Sequence, residues 1–154
     1  MKNILLLVAF LVLPMLLFSQ NKVSDCFIPP GKLLSLIGAG QDKAEGILGT
    51  CFPYQGVMDQ KRPYKEFTRV YRENGIRYAG SIRIYLEEKQ VMFMTTDHSM
   101  YMKYKSALRS YGFVLEREED GVSSYTYGKY SMMTAAAKNG SNITSYAISL
   151  FLDK

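Results

Sequence analysis

Between Lys61 and Arg83 the chain carries seven cations, Lys61, Arg62, Lys65, Arg69, Arg72, Arg77 and Arg83, against two acids, Glu66 and Glu73, for a local charge of +5. Tyr64, Tyr71, Tyr78 and Tyr85 are interleaved with them. A guanidinium presents a rigid fork of N–H donors that matches carboxylate and phosphate oxygens, and a tyrosine ring beside it adds contact area at low entropic cost. On adjacent antiparallel strands, alternate Arg and Tyr would share a solvent face. The stretch therefore reads as a binding site for an anionic partner in the envelope, whether phosphate, glycan, anionic lipid or an acidic protein surface. Its contact residues would be Arg69, Tyr71, Arg72, Arg77, Arg83 and Tyr85. An ordinary exposed sheet face, whose long side chains shield backbone and core, has the same composition.

Other chemistries find little to work with. The chain has a single histidine, His98, and no Gly-x-Ser-x-Gly elbow, so no serine or cysteine has a choice of activating bases. One histidine and two cysteines leave no ligand cluster for a transition metal. Asp97 and His98 are adjacent and read as a capping or surface pair. Glu116, Glu118, Glu119 and Asp120 cluster at a hairpin, where no cleft separates their pKa values and where charge discourages edge pairing. Gly38 and Gly40 lack the spacing and the preceding strand of a dinucleotide loop.

The expectation is a non-enzymatic binding protein with no catalytic residue, metal or cofactor. A second reading is a small-molecule carrier or ligand-responsive module, with a pocket between the helix near 100–111 and the sheet, close to Met92, Met94 and Tyr104. Met92, Met94, Met100 and Met102 suit such a pocket or plain core filling. Tyr125, Tyr127 and Tyr130 suit a second aromatic surface or strand packing.

The compartment follows from the first residues. Lys2 is the only charge before Lys22, and an unbroken apolar run of 15 residues, Ile4 to Phe18, follows it. As a helix that run spans roughly 22 Å, short of a hydrocarbon core of about 30 Å. The order of positive start, apolar stretch and small residue predicts a signal peptide over 1–19, with the mature domain at 20–154 and no membrane span after cleavage. An uncleaved anchor is the alternative. Export, to the periplasm or beyond, argues against a nucleic-acid partner and places Cys26 and Cys51 in an oxidising compartment. A bridge between them is expected, and two unpaired thiols are the alternative. The formal charge of +5, or +4 without Lys2, is mild.

The elements that position these residues are punctuated by turns. Leu33, Leu34 and Ile37, then Ala44, Ile47 and Leu48, predict two short helices or one broken one over 32–49, with Asp42 as N-cap, Glu45 three residues on and Gly49 as the stop. Asn74-Gly75, Asp120-Gly121 and Asn139-Gly140 predict tight turns. Strands are expected at Phe67–Tyr71, Ile76–Leu86, Val91–Thr95, Phe113–Glu119, Val122–Tyr127, Tyr130–Lys138 and Ile143–Leu152. Val91–Thr95 is apolar on both sides and should be central. Met100, Tyr104, Ala107, Leu108 and Tyr111 fall at helical spacing, with Asp97 as cap and Gly112 as stop. Helix, strands, helix, strands gives an α+β fold: an antiparallel sheet with helices on one face, in two layers. The halves 31–96 and 99–152 have the form of a duplicated unit within one domain.

Glu45, Leu48 and Gly49, after Gly38 and Asp42, resemble the short helix-ending signature of BamE-like envelope proteins. Those are usually lipoproteins, whereas here Ser24-Asp25 precedes Cys26 in place of a lipobox. The doubled helix-plus-meander plan resembles the beta-lactamase-inhibitor-protein and TATA-binding-protein-like architectures. The whole is similar to small exported Bacteroidota proteins of unknown function. These resemblances imply at most a protein-binding role.

Overall fold

The computed structural model describes residues 26–138 and 144–153. The expected signal segment and the Asn139-Gly140 turn lie outside them. Three helices, α1 (Pro30–Leu34), α2 (Gln41–Leu48) and α3 (His98–Tyr111), accompany eight strands. These are β1 (Tyr54–Met58), β2 (Tyr64–Glu73), β3 (Ile76–Tyr85), β4 (Gln90–Thr95), β5 (Val114–Glu119), β6 (Val122–Tyr127), β7 (Tyr130–Lys138) and β8 (Thr144–Leu152).

Local chemistry sets the boundaries. Asn74 and Gly75 take φ of 50° and 80°, and Asp120 and Gly121 take 51° and 76°, so both turns have the left-handed pair that closes a two-residue hairpin. Asp97 caps α3, its carboxylate accepting from the Met100 N–H at 3.1 Å, and Gly112 ends the helix at φ 106°. Asp42 does not cap α2. Gly40, extended at ψ 167°, holds that position, and Asp42 falls in the first turn, where its charge faces the positive end of the helix dipole. β1 has no counterpart among the expected strands. Gly56 and a register shift between Tyr54 and Gly56 break its alternation, and it forms against the free edge of β2.

All neighbours are antiparallel, in the order β1-β2-β3-β4-β8-β7-β6-β5. Two four-stranded meanders thus share one sheet, joined where β4 meets β8. Phe67, Ile82, Phe93 and Ile148 lie side by side across four strands, as do Ile84, Val91, Leu150 and Met132. All eight are buried, in one cluster with Leu33, Leu36, Ala44 and Leu48 from the N-terminal helices and Tyr101, Tyr104 and Leu108 from α3. The helices therefore cover one face of the sheet, as the pattern predicted, and β4 is central.

Tyr104 ties the layers together. Its ring lies 4.6 Å from that of Phe27 and 4.7 Å from that of Phe93, and its hydroxyl accepts the Ile28 N–H at 3.1 Å. Phe27, Tyr104 and Phe93 pack together beneath α3. Met92 and Met94, expected beneath the helix, alternate with Val91 and Phe93 and so point to the opposite side of the sheet. Of the two readings open for Tyr125, an aromatic surface or strand packing, it takes the second, 1% exposed within the core, while Tyr127 packs on Tyr111 and Phe113.

Cys26 and Cys51 form a disulfide, which anchors the start of the described chain to the turn after α2. Opening this loop of sequence separation 25 is expected to cost on the order of 3 kcal/mol of stability. Urea unfolding with and without reductant measures it. An unmoved midpoint would show that packing alone orders the segment.

Candidate functional site

The face of the sheet turned away from the helices is built by simple alternation. Stepping down from the Asn74-Gly75 turn, the β2–β3 ladder sets Arg72 opposite Arg77, Val70 opposite Ala79, Thr68 opposite Ser81, Glu66 opposite Arg83 and Tyr64 opposite Tyr85. Phe67 and Ile82, on the other parity, are core residues, so these five pairs share the open face. The expected contact set is thereby divided. Arg72, Arg77, Arg83 and Tyr85 lie on the open face. Arg69, opposite Gly80, and Tyr71, opposite Tyr78, lie on the helix-bearing side. Adjacent residues of a strand cannot share a face, which is why Tyr71 and Arg72 part company.

Tyr71 has a structural task there. Its hydroxyl donates to the Asp97 carboxylate at 2.6 Å, joining β2 to the cap of α3, and the Arg69 guanidinium stacks 4.6 Å over its ring. Burial, then the hydrogen bond to Asp97, pushes the Tyr71 phenol above its ordinary pKa. Burial raises that of Tyr104 as well, against the opposing effect of the Ile28 N–H.

The open face is electrostatically uneven. At the Tyr64–Tyr85 end, cations are matched. Arg83 bonds Glu66 at 3.1 Å and stacks 4.7 Å over Tyr64. Arg62 stacks 4.3 Å over Tyr85, pairs with Glu88 and donates to Gln90 at 2.8 Å, leaving Tyr85 only 5% exposed. The hydrogen bond from Arg62 holds the Glu88 carboxyl below its ordinary pKa. At the turn end, by contrast, both Arg72 and Arg77 are exposed, and among the described residues no carboxylate lies within ion-pair distance of either. Like charges directly opposite on neighbouring strands are destabilising.

Below this arginine pair the surface is concave. A groove of about 390 Å³ runs over Thr68, Val70, Ala79, Ser81, Met94 and Ser145. The side chains of Ala79, Ser81 and Ser145 are too short to fill it. Val70 nonetheless stands 57% exposed at its rim. These groove residues carry no charge or aromatic ring to single them out in the sequence, although the period-two pattern leading out of the Asn74-Gly75 turn places Thr68, Val70, Ala79 and Ser81 on the face of Arg72 and Arg77. Met94 joins them opposite Ser81 on the β3–β4 ladder, and Ser145 only through the β4–β8 pairing, which no local pattern specifies.

The remaining chemistry-bearing residues stay apart. His98 is exposed at the start of α3, with its ring 5.4 Å from that of Tyr146. Among the described residues no group of three or more His, Cys, Asp or Glu is placed to hold a metal ion, and no helix is long and apolar enough to cross a membrane. No family model, curated protein or solved structure matches the chain.

The two raised phenols set a pH dependence. Above the ordinary tyrosine pKa of about 10, the unfolded phenols lose protons that the native ones keep, so the unfolded state binds fewer protons and stability falls as pH rises. Urea midpoints measured upward from pH 9 or so should fall, and Tyr71→Phe and Tyr104→Phe should each flatten that decline. An unchanged slope in both variants would show that these phenols titrate normally.

Proposed function

We propose that this chain is an exported, non-enzymatic interaction protein that binds an acidic protein segment on the open face of its sheet. Arg72 and Arg77 take the partner's carboxylates, and the groove below them takes small apolar side chains. The observation that carries this reading is the pair itself: two arginines directly opposed, with no acid in reach among the described residues, at the head of a concave, small-residue surface. The next charges on the same face, Glu66 and Arg83, are matched to each other, so the unmatched pair is the place where an external anion gains most. The apolar run at 4–18 and the Cys26–Cys51 bridge support export.

The test separates stability from binding. Arg72→Glu replaces a repulsive cross-strand pair by an attractive one and should stabilise the protein by about 0.2–1 kcal/mol in urea unfolding. The double variant R72E/R77E should lose binding to poly-glutamate, followed as amide chemical-shift changes at residues 68–72 and 77–81. Retained binding in the double variant would remove the assignment. Equal shifts with vesicles of anionic lipid would replace an acidic protein segment by a membrane surface as the partner.

A further inference from the structure

We propose that the acidic surface fitting this site is carried by a second copy of the same chain, with two open faces packed about a twofold axis that runs parallel to the strands between β4 and β8. This rests on the reading of Arg72 and Arg77 as an anion-seeking pair. β2 and β5 run in the same direction, because an even number of antiparallel steps separates them in the order β2-β3-β4-β8-β7-β6-β5. The β2–β3 and β5–β6 turns therefore leave the sheet at the same edge, at opposite corners.

The second corner is acidic. On β5 and β6, Glu119 lies opposite Val122 and Arg117 opposite Ser124 on the open face, and Asp120 stands at the turn. Glu116 accepts from Thr126, which shares that face. Glu118 belongs to the other side, where Lys105 and Ser123 hold it. Arg117 pairs with Glu119, and Glu116, Glu119 and Asp120 against Arg117 leave a net charge of −2 at this corner, facing the +2 of Arg72 and Arg77 at the other.

One molecule cannot join its own corners. Four strand spacings of about 4.8 Å, some 19 Å in all, separate β3 from β6. A twofold axis parallel to the strands exchanges left and right while keeping the turn edge in place. It sets β2 and β3 of each copy over β6 and β7 of the other, so each basic corner lies one strand spacing, about 4.8 Å, from the other copy's acidic corner, twice per dimer, as an isologous contact requires. Between the corners runs a row of short or flexible side chains, Thr68, Ser81, Met94, Ala147, Ala135 and Val122, aligned across six strands. Short side chains allow two sheets to approach to the usual packing distance of about 10 Å. Eight strands at about 4.8 Å and four row intervals of about 6.8 Å give a face of about 1,000 Å², against the roughly 800 Å² per partner of a stable interface.

Sedimentation equilibrium of the disulfide-bonded protein at low and high salt tests the arrangement. The expected result is a dimer that weakens with salt. R72E/R77E and E119K/D120K should each dissociate at concentrations about tenfold or more higher than the parent protein. Mixed in equal amounts, the two variants should form a heterodimer, because each then offers only charges the other lacks. Far-UV circular dichroism confirms that both are folded. A monomeric parent protein, or reversed variants that dimerise as well as the parent, would overturn the proposal. If the protein is monomeric yet Arg72 and Arg77 still bind poly-glutamate, the second copy is removed and the interaction reading stands. If reversal alters neither property, both fall.

Discussion

Six residue pairs between β4 and β8 hold this molecule together. Each meander, with its preceding helical region, makes only half a core. Joined, they bring Phe93 beside Ile148 and Val91 beside Leu150, and α3 closes over the seam with Tyr104 against Phe93. A strand with neighbours on both sides and a helix above it must be apolar toward that helix, and the buried residues of β4 and β8 meet that demand. The ladder also decides the other face. It fixes how far apart the β2–β3 and β5–β6 corners lie and puts both turns at one edge. The geometry available to a partner is therefore set by a pairing that lies far from either corner.

The sequence carries the local decisions clearly. Two-residue turns with Asn-Gly and Asp-Gly, the Asp97 cap and the Gly112 stop are short-range chemistry, and the elements they bound stand where the pattern puts them. α2 was legible as a helix but not in its cap. A glycine with extended backbone takes the capping position as readily as a carboxylate would, and it leaves no side-chain signal. β1 was illegible because its stability comes from the edge of β2 and owes little to its own composition. The long-range decision, β4 against β8, has no local trace at all.

The contact residues show the same division. Composition singled out the basic, tyrosine-rich stretch, but composition has no parity. Arg69 and Tyr71 differ from Arg72 only in the side of the strand they occupy, and that places them in a stacked, capped cluster around Asp97. Tyr85 and Arg83 have the right parity, yet Arg62 and Glu66 engage them. What distinguishes Arg72 and Arg77 is the absence of any such neighbour among the described residues, a property that depends on every strand around them.

That contrast within one ladder bears on why the pair exists. The stretch has two acids: Glu66 neutralises Arg83 two rungs above the Tyr64–Tyr85 pair, and Glu73 sits next to Arg72 in sequence. Glu73, however, falls on the opposite parity, opposite Ile76, so the open-face rung nearest the turn is left with two positive charges. A hairpin end is where fraying costs least, and repulsion there weakens the strands without threatening the core. Charge placed at such an end is also the charge most exposed to an approaching surface, where desolvation on contact strengthens each guanidinium–carboxylate bond. The matched charges near Tyr85 serve the fold, and the unmatched ones near Asn74 are placed where the fold can best tolerate them and a partner can best reach them.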